Sequence, residues 1–121
     1  MGVSHHSNYL KYFEMARVGW LRERGLMNIH YPYSDMALAV IESSCRHMQP
    51  VRFGEEIRIC LQVRREKLKI EFRYKVLNSD QEVLATGDTV LVPINSALKP
   101  TRIPQPLIEA LEQESWTETW P

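Results

Sequence analysis

Two adjacent histidines, His5 and His6, are followed by Asn8 and Glu14, and these are the side chains near the chain's start that could take part in catalysis. An imidazole titrating near about 6.5 can accept and return a proton at neutral pH. Its plainer role is to line a pocket and order the entry to a helix. Metal ligation is the weaker reading, because adjacent histidines with no evident carboxylate or Cys partner make a poor ligand set. Asn8 suits a helix cap that fixes the entering loop. Glu14 and Arg17 fall in a mostly apolar stretch, where charged groups need an ion pair or hydrogen bonds.

The element that must position these groups is the run of residues 9–21. It carries Tyr9, Leu10, Tyr12, Phe13, Met15, Ala16, Val18, Trp20 and Leu21, which cover most of a helix circumference rather than one stripe. That pattern predicts a buried helix. Ser7 or Asn8 can cap its start, and Gly25 can end it in the left-handed conformation after a basic last turn with Arg22 and Arg24. A helix apolar nearly all round needs partners nearly all round. The rest of the chain is strand-like, so the strands must wrap it.

Residues 26–35 form a connector in which Pro32 argues against further helix. Residues 36–48 begin as an apolar run, Met36 to Ile41, and then alternate, which predicts a strand buried on both faces at one end. Residues 49–54, with Pro50 and Gly54, read as a turn. Ile57, Ile59, Leu61 and Val63 alternate with polar residues; after a break at residues 65–67, Leu68, Ile70, Phe72, Tyr74 and Val76 do the same. Period-two alternation puts one set on a core face and the other in water, the pattern of an antiparallel hairpin. A second turn at residues 78–81 leads to a strand over residues 82–93. Its inner face holds Val83, Ala85, Gly87, Thr89 and Leu91, small enough at the middle for close approach of a helix, with Ala16 and Gly19 as the expected counterparts. Pro104 and Pro106 open a short amphipathic helix through Leu107, Ile108, Ala110 and Leu111. The tail, residues 115–121, is expected to fray despite Trp116 and Trp120. Ser43 and Ser44 are simple strand residues.

With 121 residues, 44% hydrophobic and 25% charged at a formal net charge of zero, the chain fits one soluble α+β domain over residues 1–121. Zero net charge supplies no general attraction to nucleic acid or to an acidic membrane. No apolar run approaches the roughly 20 residues of a membrane span, and no secretory signal opens the chain. The expected setting is cytoplasmic. Cys45 and Cys60, far apart and each within a predicted strand, read as buried free thiols.

One buried helix with long antiparallel strands curling around it is the hot-dog architecture. Residues 1–26 also resemble the opening of the 4-hydroxybenzoyl-CoA thioesterase-like family. Its pattern there is an Asp, two residues, Gly-Val, an aromatic or His, Asn-Tyr, Phe-Glu and Ala-Arg. This chain supplies Gly2, Val3, His6, Asn8, Tyr9, Phe13, Glu14, Ala16 and Arg17. Pro50, Gly54, Glu55 and the strand from Ala85 to Val92 match in order.

The resemblance implies hydrolysis of an aromatic or short-chain acyl-CoA thioester, without metal or redox cofactor. A carboxylate attacks the thioester or activates water, and a backbone N–H at the helix start holds the oxyanion. By position that donor is the N–H of His6. The imidazole of His5 or His6 could protonate the leaving thiolate, and Glu14 is a further catalytic candidate because some hot-dog relatives draw their carboxylate from this helix. Tyr9 and Phe13 are expected against the substrate. Lys67, Lys69 and Arg102, with Arg64, Arg65 and Lys99, are candidates for the coenzyme phosphates, although charges at turns are usually just solvated. An acyl carrier protein is an alternative thiol carrier. A homodimer through the strand of residues 36–48 is expected, because an apolar edge invites pairing; a dimer of dimers follows by resemblance only.

The family's Asp would stand two residues before Met1, with a first strand ahead of it. The chain therefore reads either as an N-terminal truncation or as a noncatalytic hot-dog protein that binds acyl-CoA or a protein partner. The form starting at Met1 is expected to bind acyl-CoA but to hydrolyse it poorly, since oxyanion stabilisation alone leaves only residual catalysis.

Overall fold

A computed structural model of the chain describes the backbone of residues 6–27, 36–50, 54 and 56–117, with side chains from Tyr9 onward. Helix α1 (His6–Glu23) is followed by strands β1 (Ala37–His47), β2 (Ile57–Glu66), β3 (Lys69–Asn78) and β4 (Val83–Ile94), then helix α2 (Gln105–Glu112). The strands form one antiparallel sheet in the order β1-β4-β3-β2, and the sheet curves around α1.

Helix α1 is already formed at His6, so Ser7 and Asn8 stand in its first turn rather than capping it from outside. Its end is as the sequence predicts. Gly25 takes φ +68°, its N–H donates to Arg22 O at 3.1 Å, and the N–H of Leu26 reaches back to Leu21 O at 2.9 Å. This paired closure satisfies two terminal carbonyls, and the buried pair Leu21 and Leu26 adds the apolar contact that accompanies it.

The helix is not surrounded as its composition suggested. Tyr9, Phe13, Trp20 and Leu21 form the buried stripe, while Met15 is 67% exposed and Lys11 and Glu14 also face outward. A single concave sheet covers one side of a cylinder. Opposite the stripe, β3 presents Ile70, Phe72, Tyr74 and Val76, all buried. Phe13 stacks on Tyr74 (centroids 4.3 Å, planes 9° apart) and Trp20 meets Phe72 edge-on at 5.8 Å. Leu107 and Leu111 of α2 complete this core.

The hairpin has the predicted alternation, but Leu68 lies in the β2–β3 turn and is exposed. Its apolar side chain continues the period without belonging to the strand. The turn at residues 78–81 is organised by Asn78, whose Oδ1 accepts from the N–H groups of Asp80 (2.9 Å) and Glu82 (3.0 Å). Strand β1 is not buried on both faces at its start. It is half-buried over residues 37–39 and largely exposed beyond, because it is an edge strand. Its register with β4 shifts between Val40 and Glu42, a β-bulge at Ile41. Cys45 and Cys60 are free and half-buried. Residues 1–5, 28–35, 51–53, 55 and 118–121, with most of the connector, part of the turn at residues 49–54 and Trp120, lie outside the described residues.

The C-terminal segment also departs from expectation. The Trp116 ring packs under two guanidinium groups, Arg73 at 3.8 Å and Arg64 at 4.2 Å, and Arg73 also donates to the carbonyl of Thr117. Glu114 accepts from Trp20 Nε1 at 2.7 Å. Cation–π contacts and charge-assisted bonds dock residues 114–117, where composition alone suggested fraying.

Close packing between helix and sheet occurs at Gly87, yet its counterpart is neither Ala16 nor Gly19. A Cβ at Gly87 would stand 2.8 Å from both Phe13 Cζ and Ser44 O, whereas nothing lies within 4 Å of one placed at Gly19. Gly87→Ala should therefore destabilise by about 1–3 kcal/mol through overpacking. Gly19→Ala should stabilise by about 0.5–1 kcal/mol through helix propensity. Urea denaturation of the two variants checks the opposite signs.

Candidate functional site

Helix α1 starts within the stretch that carries the histidines, so the N–H groups of residues 6–8 have no partner within the helix and carry its positive end. An oxyanion or carbonyl oxygen placed there would be stabilised. His5 and the side chains of His6 and Asn8 lie outside the described residues. The ring of Tyr9 is 1% exposed and meets His47 edge-on at 4.9 Å, with its planes at 66°. His47 comes from the far end of β1 and was not singled out by sequence reasoning. Its Nε2 lies 4.0 Å from the thiol of Cys45, a thiol whose pKa burial pushes up.

The bulge at Ile41 accounts for this placement. Val40 pairs with Leu91, but Ser43, Cys45 and His47 pair with Thr89, Gly87 and Ala85, which face α1. One extra residue reverses the facing of the rest of β1, turning odd-numbered residues toward the helix. The apolar run from Met36 to Ile41 hides this shift from any reading of alternation.

Phe13 is fully buried between Tyr74 and Gly87. In this arrangement Tyr9 and Phe13, both expected against substrate, are core residues. Glu14 is exposed, and no ion pair joins it to Arg17 among the described residues. Arg17 instead donates from Nη1 to the Tyr74 hydroxyl at 3.2 Å, which shares a 2.6 Å hydrogen bond with Thr89 Oγ1. Glu14 and Arg17 border a cavity of about 260 Å³ walled by Val18, Leu21, Met27, Leu38, Phe72 and Leu91.

Lys67 and Lys69 flank the β2–β3 turn and border a shallow depression with Glu42, Glu66 and Glu71. Burial raises the Glu71 carboxyl, helped by a hydrogen bond to Glu66 and opposed by Arg64 at 3.3 Å. The lysines thus sit among carboxylates, at the other end of the sheet from His47. From Ala85 to Leu91 along β4 is ~20 Å. Arg102 is exposed beyond β4. The structure does not gather Lys67, Lys69 and Arg102 with the helix start in one chain. Among the described residues no His, Cys, Asp or Glu cluster is arranged to hold a metal ion, and no helix is long and apolar enough to cross a membrane.

A curved antiparallel sheet gripping one long helix, with that helix's positive end at a His-bearing stretch, defines a hot-dog domain of the α+β class. The chain belongs to the thioesterase superfamily, whose family model matches residues 1–85. A provisionally named esterase of Aquifex aeolicus (strain VF5) is 31% identical over 117 residues, covering 92% of this chain and 86% of that protein. Among solved structures, the 1,4-dihydroxy-2-naphthoyl-CoA thioesterase of Synechocystis superposes with a TM-score of 0.85 at 23% identity, over 93% of this chain and 85% of that one. A Staphylococcus aureus protein solved in complex with CoA gives 0.89 at 15% identity, over 100% and 80%. At those identities the two structures establish the fold.

The Tyr74 hydroxyl provides a test of the polar core. Burial raises its pKa above the ordinary 10.0, against the lowering pull of Arg17 and Thr89. The folded protein therefore keeps a proton that the unfolded chain releases. This contribution is complete below pH 10 and is lost as pH rises through the folded value. Tyr74→Phe should cost about 1–3 kcal/mol at neutral pH, by leaving Thr89 and Arg17 without their partner. It should also flatten the alkaline loss of stability, measured as urea midpoints between pH 8 and 11.

Proposed function

We propose that this protein hydrolyses the thioester of an aromatic or short-chain acyl-CoA. The observation that carries the reading is the start of α1 within the family's motif, whose orphan N–H groups could stabilise an oxyanion brought to them. Its support is membership of the thioesterase superfamily. A structural neighbour bound to CoA supports the coenzyme as carrier; an acyl carrier protein presents the same thiol chemistry.

In this reading the His6 N–H holds the thioester oxygen, Asn8 orders the first turn, and an imidazole of His5 or His6 serves proton transfer. Glu14 lies ~12 Å further along the helix axis, so it can reach such a centre only from a second copy. Lys67, Lys69 and Arg102 are the proposed phosphate contacts. The reading needs no metal or redox cofactor, and it fits a cytoplasmic setting, where free thiols such as Cys45 and Cys60 persist.

Thiol release from a panel of aromatic and short-chain acyl-CoAs tests the proposal. Slow turnover is expected, with His6→Ala and Glu14→Gln separating the two candidate proton carriers. A folded protein that binds acyl-CoA but releases no thiol would instead be a noncatalytic binder.

We further propose a homodimer in which β1 pairs with its two-fold mate, with a dimer of dimers as its extension. Strand β1 lies at the sheet edge, and Val40 and Ile41 on it are 47% and 46% exposed. An apolar edge with unpaired backbone groups is a template for a second strand. Sedimentation at micromolar concentration should give a dimer; a monomer would refute the pairing.

A further inference from the structure

We propose, resting on the homodimer reading, that two copies of β1 pair antiparallel with Ser44 facing itself across the two-fold axis, which sets Glu42 of each copy against Arg46 of the other. Past the bulge at Ile41, the stretch from Glu42 to His47 runs in unbroken register along β4. Ser43, Cys45 and His47 pair there with the residues that face α1, so Glu42, Ser44 and Arg46 stand on the outer face of the sheet, and all three are exposed. Among the described residues neither Glu42 nor Arg46 is in an ion pair. An edge strand thus carries one carboxylate and one guanidinium, four residues apart on the same face, with a small residue midway between them.

That arrangement is complementary to itself. Antiparallel strands related by a two-fold axis keep the same face up in the joined sheet, so outer residues meet outer residues, and the residue that faces its own copy defines the register. Centring on Glu42 or on Arg46 would set like charges directly opposite, which is destabilising. Centring on Ser43 puts Glu42 against the partner's Ser44, and centring on Cys45 puts Arg46 there instead; each leaves both charges without a counterpart. Centring on His47 leaves the strands almost no overlap. Ser44 alone, as centre, forms two pairs of opposite charge at once. It also brings the exposed Val40 and Ile41 alongside the partner's Met48, which is exposed as well. Ser44, whose hydroxyl meets Asp88 Oδ2 at 3.3 Å, is small enough to stand beside its own copy.

Charge reversal and cross-linking of the full chain test the register. Glu42→Arg and Arg46→Glu each set like charges opposite, and each should weaken the dimer about tenfold in sedimentation at low salt. The double variant re-forms both pairs with their signs exchanged and should regain the affinity of the unaltered protein. An equal mixture of the two single variants should dimerise as well, because each supplies the charge that the other lacks. In a Cys45→Ser, Cys60→Ser background, Ser44→Cys should give a disulfide-linked dimer on mild oxidation, since directly opposite Cα atoms stand ~5 Å apart. Ser43→Cys, ~8 Å from its own copy, should not. Cross-linking of Ser43→Cys but not of Ser44→Cys, or a double variant no tighter than the single ones, would overturn the register while leaving the dimer standing. A monomer from the unaltered protein would instead remove the homodimer reading itself, and the register with it.

Discussion

The contact between Phe13 and Gly87 sets the distance between helix and sheet, and much of the structure follows from it. The Phe13 ring occupies the space a side chain at Gly87 would fill and stacks flat on Tyr74. An aromatic ring wedged against backbone has no room to shift, so the helix can neither slide nor rotate without losing that stack. With α1 fixed at its middle, Trp20 is held against Phe72 at one end and Tyr9 against His47 at the other. The helix start is thereby presented at a fixed place beside the edge strand.

Around this apolar wedge the polar groups are satisfied in short chains. Tyr74 sits in the core with a hydroxyl that must be paired, and Thr89 and Arg17 pair it. Arg17 thus acquires a partner that is a hydroxyl rather than a carboxylate. The same logic holds on the outer face of the sheet, where Arg73 binds Gln62 and the tail while Arg64 meets Glu71 and Trp116. Charges that composition assigns to solvent are here used to fasten residues 114–117. The basic residues offered for phosphate binding are accordingly unequal: Arg64 is engaged by carboxylates and Trp116, Lys67 and Lys69 are set among carboxylates, and Arg102 is exposed.

The edge position of β1 joins assembly to chemistry. A strand at the sheet edge with Val40 and Ile41 exposed carries, at its far end, the histidine that touches the first turn of α1. The bulge serves both ends of the strand. It lets Leu38 and Val40 share the face of Pro93 and Leu91, and then sets Cys45 and His47 on that same face six residues of β4 away, opposite Gly87 and Ala85. Any partner strand added at this edge would lie alongside the proposed site.

Much of the fold was determined by sequence alone, through local pattern and punctuation. Period-two alternation located β2 and β3, Gly25 and Asn78 marked a helix end and a turn, and paired prolines opened α2. These features are legible because they depend on a residue and its near neighbours along the chain. The Gly-Val, Asn-Tyr, Phe-Glu and Ala-Arg run identified the family for the same reason. Tertiary structure decided which apolar residues of α1 are covered, that Phe13 rather than Ala16 or Gly19 meets Gly87, and that Trp116 is docked. It also brought His47 to Tyr9, 38 positions away in sequence. That meeting depends on one inserted residue in an edge strand, and an insertion inside an apolar run leaves no period to break. The face of a strand is fixed by its hydrogen-bonded partner, which the strand's own sequence does not contain.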